Sequence, residues 1–209
     1  QEFPYYTPSF TVAEPALVVS PTKMNVFYRG LPNPVEISVP GVPSDKVDVR
    51  ISGNHKIKKE SDGTFTITPG RDSKANVTVS AELPDGSKKT LPAKEFRVKR
   101  IPDPAPFFVG KTSSDRTISK QALIGADGLG AQMVNFDFDV RVVVKSFSVS
   151  VSRDGTLVEK SSNSNRLSPE MKQLFNRVSR GNVVYFEDII VGMPDGTERQ
   201  VAAMKLKVN

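Results

Sequence analysis

The feature that most constrains the fold is a change of pattern at residues 101–106, where three prolines alternate with other residues in Ile-Pro-Asp-Pro-Ala-Pro. Before this segment, short apolar–polar alternations recur between turn signals, and after it come longer hairpins and one helix. Proline fixes its own φ and favours an extended connection. We therefore predict that the 209 residues form two domains, joined by a Pro-rich linker at 101–106.

Residues 16–100 are predicted to form an immunoglobulin-like β-sandwich. About seven short stretches alternate apolar and polar residues, which places one face in the core and the other in water. Gly-containing turns separate them. The Cys…Trp…Cys pattern of antibody domains is absent, because the chain has neither cysteine nor tryptophan. The predicted strands are centred on 17–19, 24–28, 35–39, 47–51, 65–67, 77–81 and 96–98.

Residues 107–209 are predicted to form a second antiparallel β-sandwich with one short helix. Strands are expected at 136–144 and 147–151, and a late hairpin at 183–208 is closed by an Asp-Gly turn. Between them, a serine cap, a proline and apolar residues at helical spacing predict a helix over 169–179. That helix is carried by Ser168, Pro169, Met171, Leu174, Phe175 and Val178.

Composition excludes several classes of function. The absence of cysteine excludes disulfides, Cys-ligated zinc and thiol nucleophiles. The net charge of +6 is spread along the chain rather than gathered on one stretch, so nucleic-acid binding is not expected. The sequence has no apolar run near the ~20 residues that cross a bilayer, so no membrane contact is expected of these residues.

The residues that might carry chemistry do not form a catalytic pattern. His55 is the only histidine and is predicted to lie in a surface turn, without a Gly-x-Ser-x-Gly motif elsewhere. Asp137 and Asp139 share one strand face, which favours a solvated surface. The loop Gly125–Ala131 lacks the glycine order of a dinucleotide site and is predicted to be flexible. We therefore predict no catalytic, metal or cofactor-binding residue, and a protein that is not an enzyme.

The strongest family signal is the run VSPTKMNVFYRGLPNPVEISV at 19–39. It resembles the C-terminal periplasmic region of GldM, called PorM in non-gliding relatives, the gliding-motility and type IX secretion protein. The specific parts are Met24-Asn25-Val26, Tyr28-Arg29-Gly30 and Asn33-Pro34. The resemblance covers residues 16–209, and over the second block it rests on architecture more than on motifs.

This resemblance implies a role in a multiprotein motor complex. Family members are anchored in the inner membrane by an N-terminal helix and pair there with a partner to form a proton-driven motor. A dimeric periplasmic arm of β domains then reaches an outer-membrane ring that contains lipoproteins. The chain would be the last two domains of that arm, located in the periplasm and expected to be a homodimer.

Contact residues are predicted on this basis. The aromatic lead-in at residues 1–15, which also fits the last strand of a preceding domain, is the predicted dimer-packing segment through Phe3, Tyr5, Tyr6 and Phe10. Ring contact is predicted for the loop Gly125–Gln132 and the turn Met193–Gly196, with these residues: Asp127, Leu129, Gln132, Met193 and Asp195. The alternative is a surface adhesin or carbohydrate-binding module, which would also use β-sandwiches but would favour exposed Trp or Tyr platforms.

Overall fold

The computed structural model describes residues 21–153 and 155–209. They form two compact units, divided between Ile101 and Pro102. The prediction of two tandem, mainly β domains is confirmed. The strand predicted at 17–19 and the aromatic lead-in at 1–15 lie outside the described residues.

The described part of the first unit has eight strands: β1 (Val26–Tyr28), β2 (Asn33–Val35), β3 (Val47–Ile51), β4 (Lys56–Lys59), β5 (Phe65–Thr68), β6 (Lys74–Glu82), β7 (Lys88–Thr90) and β8 (Lys94–Lys99). The larger sheet has the order β1-β8-β6-β3, with β7 also paired to β6. The smaller sheet has the order β2-β5-β4. β1 and β8 run parallel, whereas the other pairs in this unit are antiparallel.

Period-two alternation decides which side chains of the first unit enter its core. In β3, Val47 and Val49 are buried while Asp48 and Arg50 face water. From the other sheet, Phe65 and Ile67 of β5 are buried in the same cluster. Burying an apolar side chain of this size contributes about 2 kcal/mol. Side chains from both sheets therefore form one core, as expected for a sandwich.

The second unit begins within the predicted linker. Its elements are β9 (Ala105–Phe108), β10 (Lys111–Thr112), β11 (Thr117–Ile118), α1 (Lys120–Gly125), β12 (Gly130–Gln132), β13 (Val143–Arg153), β14 (Thr156–Ser162), α2 (Pro169–Asn176), β15 (Val183–Gly192), β16 (Glu198–Gln200) and β17 (Met204–Val208). Pro104 and Pro106 are buried, so the segment after Asp103 belongs to the distal domain rather than to a solvated linker.

Two sheets and two helices build the described part of the distal domain. The large sheet has the order β11-β17-β15-β13-β14, with β16 also paired to β15, and the small sheet has the order β10-β9-β12. Three fully buried rings show how the layers meet. Phe108 of β9 lies 4.5 Å from Phe186 of β15 and 6.2 Å from Phe175 of α2, measured between ring centroids. The small sheet, α2 and the large sheet thus share one core.

The helices follow local capping rules. The Ser168 hydroxyl accepts a hydrogen bond from the Met171 amide at 3.3 Å, and Pro169 opens α2. α2 ends at Asn176, three residues before the predicted end. α1 was not predicted, although Ser119 caps it by accepting a hydrogen bond from the Ala122 amide at 3.1 Å. A six-residue helix is too short for its apolar period to stand out.

Two parts of the distal domain differ from the predicted strands. Residues 133–142 form no strand, although Phe136 and Phe138 alternate with aspartates. Their two rings stack on each other at 5.4 Å instead of alternating in a ladder. In β15 the buried positions shift by one residue at Asp188, which has a positive φ of 49° and sits where the ladder with β13 is irregular. This bulge keeps the apolar side chains on both sides of it facing the core.

Candidate protein-binding surface on the distal domain

His55 is a structural residue rather than the surface histidine that we predicted. It is 8% exposed, and its Nδ1 accepts a hydrogen bond from the Gly70 amide at 3.0 Å. Because Nδ1 accepts, Nε2 carries the proton and donates to the carbonyl oxygen of Lys74 at 2.9 Å. A Cβ at Gly70 would lie 2.1 Å from the Asn54 carbonyl oxygen, so the two turns close tightly beside the ring. Both ring nitrogens are therefore engaged in hydrogen bonds to the backbone.

The acidic side chains considered for catalysis are not gathered into a site. Asp137 and Asp139 are both exposed in the non-strand segment 133–142. Within residues 21–153 and 155–209, no group of three or more His, Asp or Glu side chains is placed to hold a metal ion. The same residues contain no helix long and apolar enough to cross a membrane.

The loop predicted to be flexible is held in place by its backbone. The Leu129 amide donates to the Asn165 carbonyl oxygen at 2.8 Å, and the Leu167 amide donates to the Asp127 carbonyl oxygen at 2.9 Å. Gly130 then starts β12, which pairs antiparallel with β9. The loop is therefore bonded to the segment before α2 on one side and to the small sheet on the other.

Two glycines of this loop are required by close packing. A Cβ on Gly128 would lie 2.0 Å from the Asn165 carbonyl oxygen, and one on Gly130 would lie 2.2 Å from the Phe107 ring. Real Cβ atoms do not approach that closely, so a larger residue at Gly128 would push the loop off the Asn165 backbone, and one at Gly130 would displace the Phe107 ring. The glycine-rich sequence thus serves close backbone contact, and no phosphate loop is formed.

The predicted ring-contact residues divide into exposed and buried sets. Asp127 and Gln132 are exposed and available to a partner. Leu129 is only 1% exposed and Met193 only 6%, so both pack inside the domain. We therefore correct the prediction: these two side chains support the loop and the turn but do not present a surface.

Asp195 is also engaged within the domain. Its carboxylate accepts hydrogen bonds from the Thr197 amide at 3.0 Å and from Arg199, whose Nη2 lies 3.1 Å away. Burial raises the pKa of Asp195, but the hydrogen bonds from Thr197 and the charge of Arg199 outweigh it and hold that pKa below its usual value. Arg199 is 7% exposed and also pairs with Asp103 at 2.9 Å. The turn is thereby tied to the start of the distal domain.

Val109 is an exposed apolar residue whose turn was not predicted from the sequence. Val109 and Gly110 form the two-residue turn between β9 and β10, with Phe108 paired to Lys111. Both turn residues have positive φ, 48° and 72°, as type I′ hairpins require. Such turns favour Asn-Gly, and a β-branched residue in this region costs about 1–2 kcal/mol. The Val-Gly pair is not a usual signal for this turn. The one sequence signal that remains is the two-residue spacing between Phe107-Phe108 and Lys111-Thr112.

Val109 and Asp127 lie at the same end of the small sheet. β9 and β12 are antiparallel with Phe107 opposite Gly130, so the chain after Phe108 and the chain before Gly130 leave the sheet together. Gly128 forms an isolated bridge with Arg166, which is exposed. A shallow, mainly polar pocket of about 270 Å³ is lined by residues 127–130 and 165–166. We call Val109, Asp127 and Arg166 the distal-end surface.

Comparison with known proteins decides the family. A family model described as the GldM third domain matches residues 16–99, and one described as the GldM C-terminal domain matches residues 102–209. The chain belongs to the GldM family. GldM proteins are components of gliding motility and type IX secretion, and the predicted resemblance is confirmed.

Other comparisons add little to the GldM assignment. No curated protein matches the chain. Among solved structures, the chain is similar to the fibronectin(III)-like modules of Clostridium thermocellum CbhA, at 15% identity and a TM-score of 0.26, over 88% of each chain. A score this low carries no argument about function.

Proposed function

We propose that this chain is the outer part of a non-catalytic, dimeric periplasmic arm. In this proposal the arm transmits the motion of an inner-membrane motor to an outer-membrane lipoprotein ring. The observation that carries the proposal is the match of two consecutive GldM domains, the third and the C-terminal, over residues 16–99 and 102–209. A role in gliding motility or type IX secretion follows from the family, and the arm and its partners are the proposed refinement.

The construction of the described residues suits a mechanical role. The glycine-rich loop, His55 and Arg199 are engaged in holding strands and turns together. Pro102 stands at the boundary between the two units, where its ring restricts φ.

The dimer is proposed to pack through the aromatic lead-in. Phe3, Tyr5, Tyr6 and Phe10 give residues 1–15 a density of aromatic side chains that is typical of an interface. Sedimentation of the 209-residue chain should therefore show a dimer, and the paired substitution Tyr5→Ser and Tyr6→Ser should shift it toward monomer. A variant mass equal to that of the unsubstituted dimer would remove the lead-in from the interface.

The experiment that tests the function is a binding titration of the whole chain against the purified outer-membrane ring lipoprotein complex. Saturable binding is expected, and Asp127→Lys together with Gln132→Glu should weaken it because both side chains are exposed on the distal domain. Asp139→Lys is a matched control, since this exposed aspartate lies outside the loop. Failure of a folded, dimeric chain to bind would reject the ring as the partner.

A further inference from the structure

We propose that His55 is a pH-sensitive switch in the first domain, which holds two chain connections together while its ring is neutral and releases one of them when the ring gains a proton. The proposal rests on the hydrogen bonds of this domain alone and is independent of the proposed function. It gives the only histidine of the chain a regulatory role in addition to its structural one.

The ring lies where the chain passes between the two sheets of the first domain. Residues 52–55, the outward connection, lead from β3 in the larger sheet to β4 in the smaller one. Residues 69–73, the return connection, lead from β5 back to β6. His55 belongs to the outward connection and Gly70 to the return connection. Their bond therefore ties together both routes between the sheets.

The two backbone partners of His55 are compatible with only one form of the ring. The Gly70 amide can only donate, so Nδ1 must be an unprotonated acceptor, at 3.0 Å. The Lys74 carbonyl oxygen can only accept, so Nε2 must carry the proton, at 2.9 Å. A second proton on Nδ1 would point one N–H group at another. Protonation of the ring therefore breaks its bond to Gly70.

Burial makes the loss of this bond costly. His55 is buried, and the Gly70 backbone is packed so closely that a Cβ there would lie 2.1 Å from the Asn54 carbonyl oxygen. A buried amide that loses its acceptor is unfavourable unless it moves to reach water. We therefore expect the return connection to move away from the protonated ring. A free imidazole side chain gains its proton at about pH 6.5, so release is expected in mildly acidic solution.

The charged groups around the ring are all exposed, so water screens their effect on it. Asp72 is the nearest carboxylate, because its Oδ2 and the edge of the ring both lie within 3.5 Å of the position of a Cβ on Gly53. Its charge favours the protonated ring, whereas the neighbouring cations oppose it. The group in direct contact with Nδ1 is the Gly70 amide, and it decides which form fits. The charged groups are Lys56 of β4, Arg71 and Asp72 of the return connection, and Lys74 of β6 with its ion-pair partner Glu95.

Movement of the return connection would reach the end of the first domain. The Arg71 carbonyl oxygen accepts a hydrogen bond from Nη2 of Arg29 at 2.5 Å. The Arg29 amide donates in turn to the Lys99 carbonyl oxygen at 2.9 Å. Lys99 is the last residue of β8, and the first unit ends at Ile101. A continuous set of bonds thus leads from the connection that His55 holds to the residues that precede the domain boundary.

The test follows the ring of His55 and the amide of Gly70 by NMR in the whole chain, from about pH 8 to about pH 5. Because the chain has one histidine, its ring nitrogen signals need no assignment among several. The exchange rate of the Gly70 amide is measured at each pH and divided by the intrinsic rate at that pH. The Leu83 amide, bonded to the Ser87 carbonyl oxygen at 2.8 Å, is the reference within the same domain.

His55→Gln is the matched variant, because its side-chain amide offers one acceptor and one donor but does not titrate in this range. In the unsubstituted chain we expect the corrected Gly70 exchange rate to rise about tenfold as the ring protonates, with the same midpoint pH. The Leu83 rate should stay constant. In His55→Gln the corrected Gly70 rate should not change with pH.

Three results would overturn the switch. The ring could stay neutral down to about pH 5, it could protonate while the Gly70 rate stays constant, or His55→Gln could show the same pH dependence as the unsubstituted chain. If His55→Gln does not fold, the unsubstituted chain decides: coincident midpoints of ring protonation and Gly70 exchange support the proposal, and separate midpoints reject it.

Discussion

The side-chain amide of Asn33 is bonded to both backbone groups of Tyr28. Asn33 Oδ1 accepts from the Tyr28 amide at 2.8 Å, and Nδ2 donates to the Tyr28 carbonyl oxygen at 2.9 Å. Nδ2 also lies 2.8 Å from the Leu31 carbonyl oxygen, and Gly30 takes the positive φ of 76° that the turn requires. The Tyr-Arg-Gly and Asn-Pro motifs that mark the family are therefore explained by a buried clasp between β1 and β2.

Removal of this clasp should unfold the first domain more easily. Asn33 is 2% exposed, so Asn33→Ala leaves buried backbone groups of Tyr28 and Leu31 without their partner. We expect a loss of about 2–3 kcal/mol in the free energy of unfolding, measured by urea denaturation. Asn76→Ala, at an exposed asparagine of β6, should cost under about 0.5 kcal/mol. Equal effects of the two substitutions would contradict the clasp.

The buried histidine should behave as a structural bridge. His55→Ala leaves the Gly70 amide and the Lys74 carbonyl oxygen without their bonds, and we expect a loss of about 2 kcal/mol. Hydrogen exchange of the Gly70 amide should accelerate together with the loss of stability. Lys56→Ala, at the exposed neighbouring position, serves as the control. Unchanged protection of Gly70 in His55→Ala would show that the imidazole does not hold this turn.

Two glycines three residues apart give a matched test of the distal loop. Gly128→Ala places a Cβ 2.0 Å from the Asn165 carbonyl oxygen, whereas nothing lies within 4 Å of a Cβ at Gly125. We expect Gly128→Ala to destabilise the distal domain by about 2 kcal/mol and to expose the Leu129 amide to exchange. Gly125→Ala, at the end of α1, should be neutral or slightly stabilising. A neutral Gly128→Ala would mean that the loop is not packed as described.

The distal domain should depend on pH through Asp195. Its pKa in the folded state lies below the ordinary value of 3.8, so the ionised carboxylate stabilises the fold above that pH. This contribution is lost as the pH falls from the ordinary pKa through the lower, folded one. Asp195→Asn should therefore cost about 2 kcal/mol at pH 7 and progressively less below pH 4, as measured by thermal unfolding at each pH.

The exposed Asp139→Asn, which removes one carboxylate charge from the same domain, provides the reference for that series. A difference in stability between Asp195→Asn and the unsubstituted chain that stays constant from pH 7 to pH 3 would contradict the linkage.

Arg199→Ala removes the partner of both Asp103 and Asp195, and we expect a larger loss of about 3 kcal/mol in the free energy of unfolding.

Sequence reasoning succeeded where one pattern controls one element. The alternation of apolar and polar residues predicted β3 and β5, because each strand has one buried and one more exposed face. Ser168 and Pro169 located the start of α2 because capping is local. The family resemblance rested on residues 19–39, where the Asn33 clasp joins residues that are close in sequence, and the family is confirmed.

Sequence reasoning failed where the local pattern is ambiguous or where a distant contact decides the structure. The stacking of Phe136 on Phe138 overrides their strand-like alternation, and the bulge at Asp188 shifts a period that the sequence alone presents as continuous. Leu129 is buried in a loop whose backbone is bonded to Asn165 and Leu167, which are far away in the chain. The turn at Val109 was not predicted because two-residue turns of this type usually contain asparagine or glycine at that position.

The parallel pairing of β1 with β8 has a consequence for a protein that is pulled. The chain enters β1 at Val26 and leaves β8 at Lys99, at opposite ends of this pair. Tension applied along the chain therefore draws the two strands past each other lengthwise. The bonds from the Arg97 amide to Asn25 and from the Arg29 amide to Lys99 carry that load together instead of opening one after another. Under such tension the first domain would be loaded in shear, with the hydrogen bonds of this strand pair sharing the force.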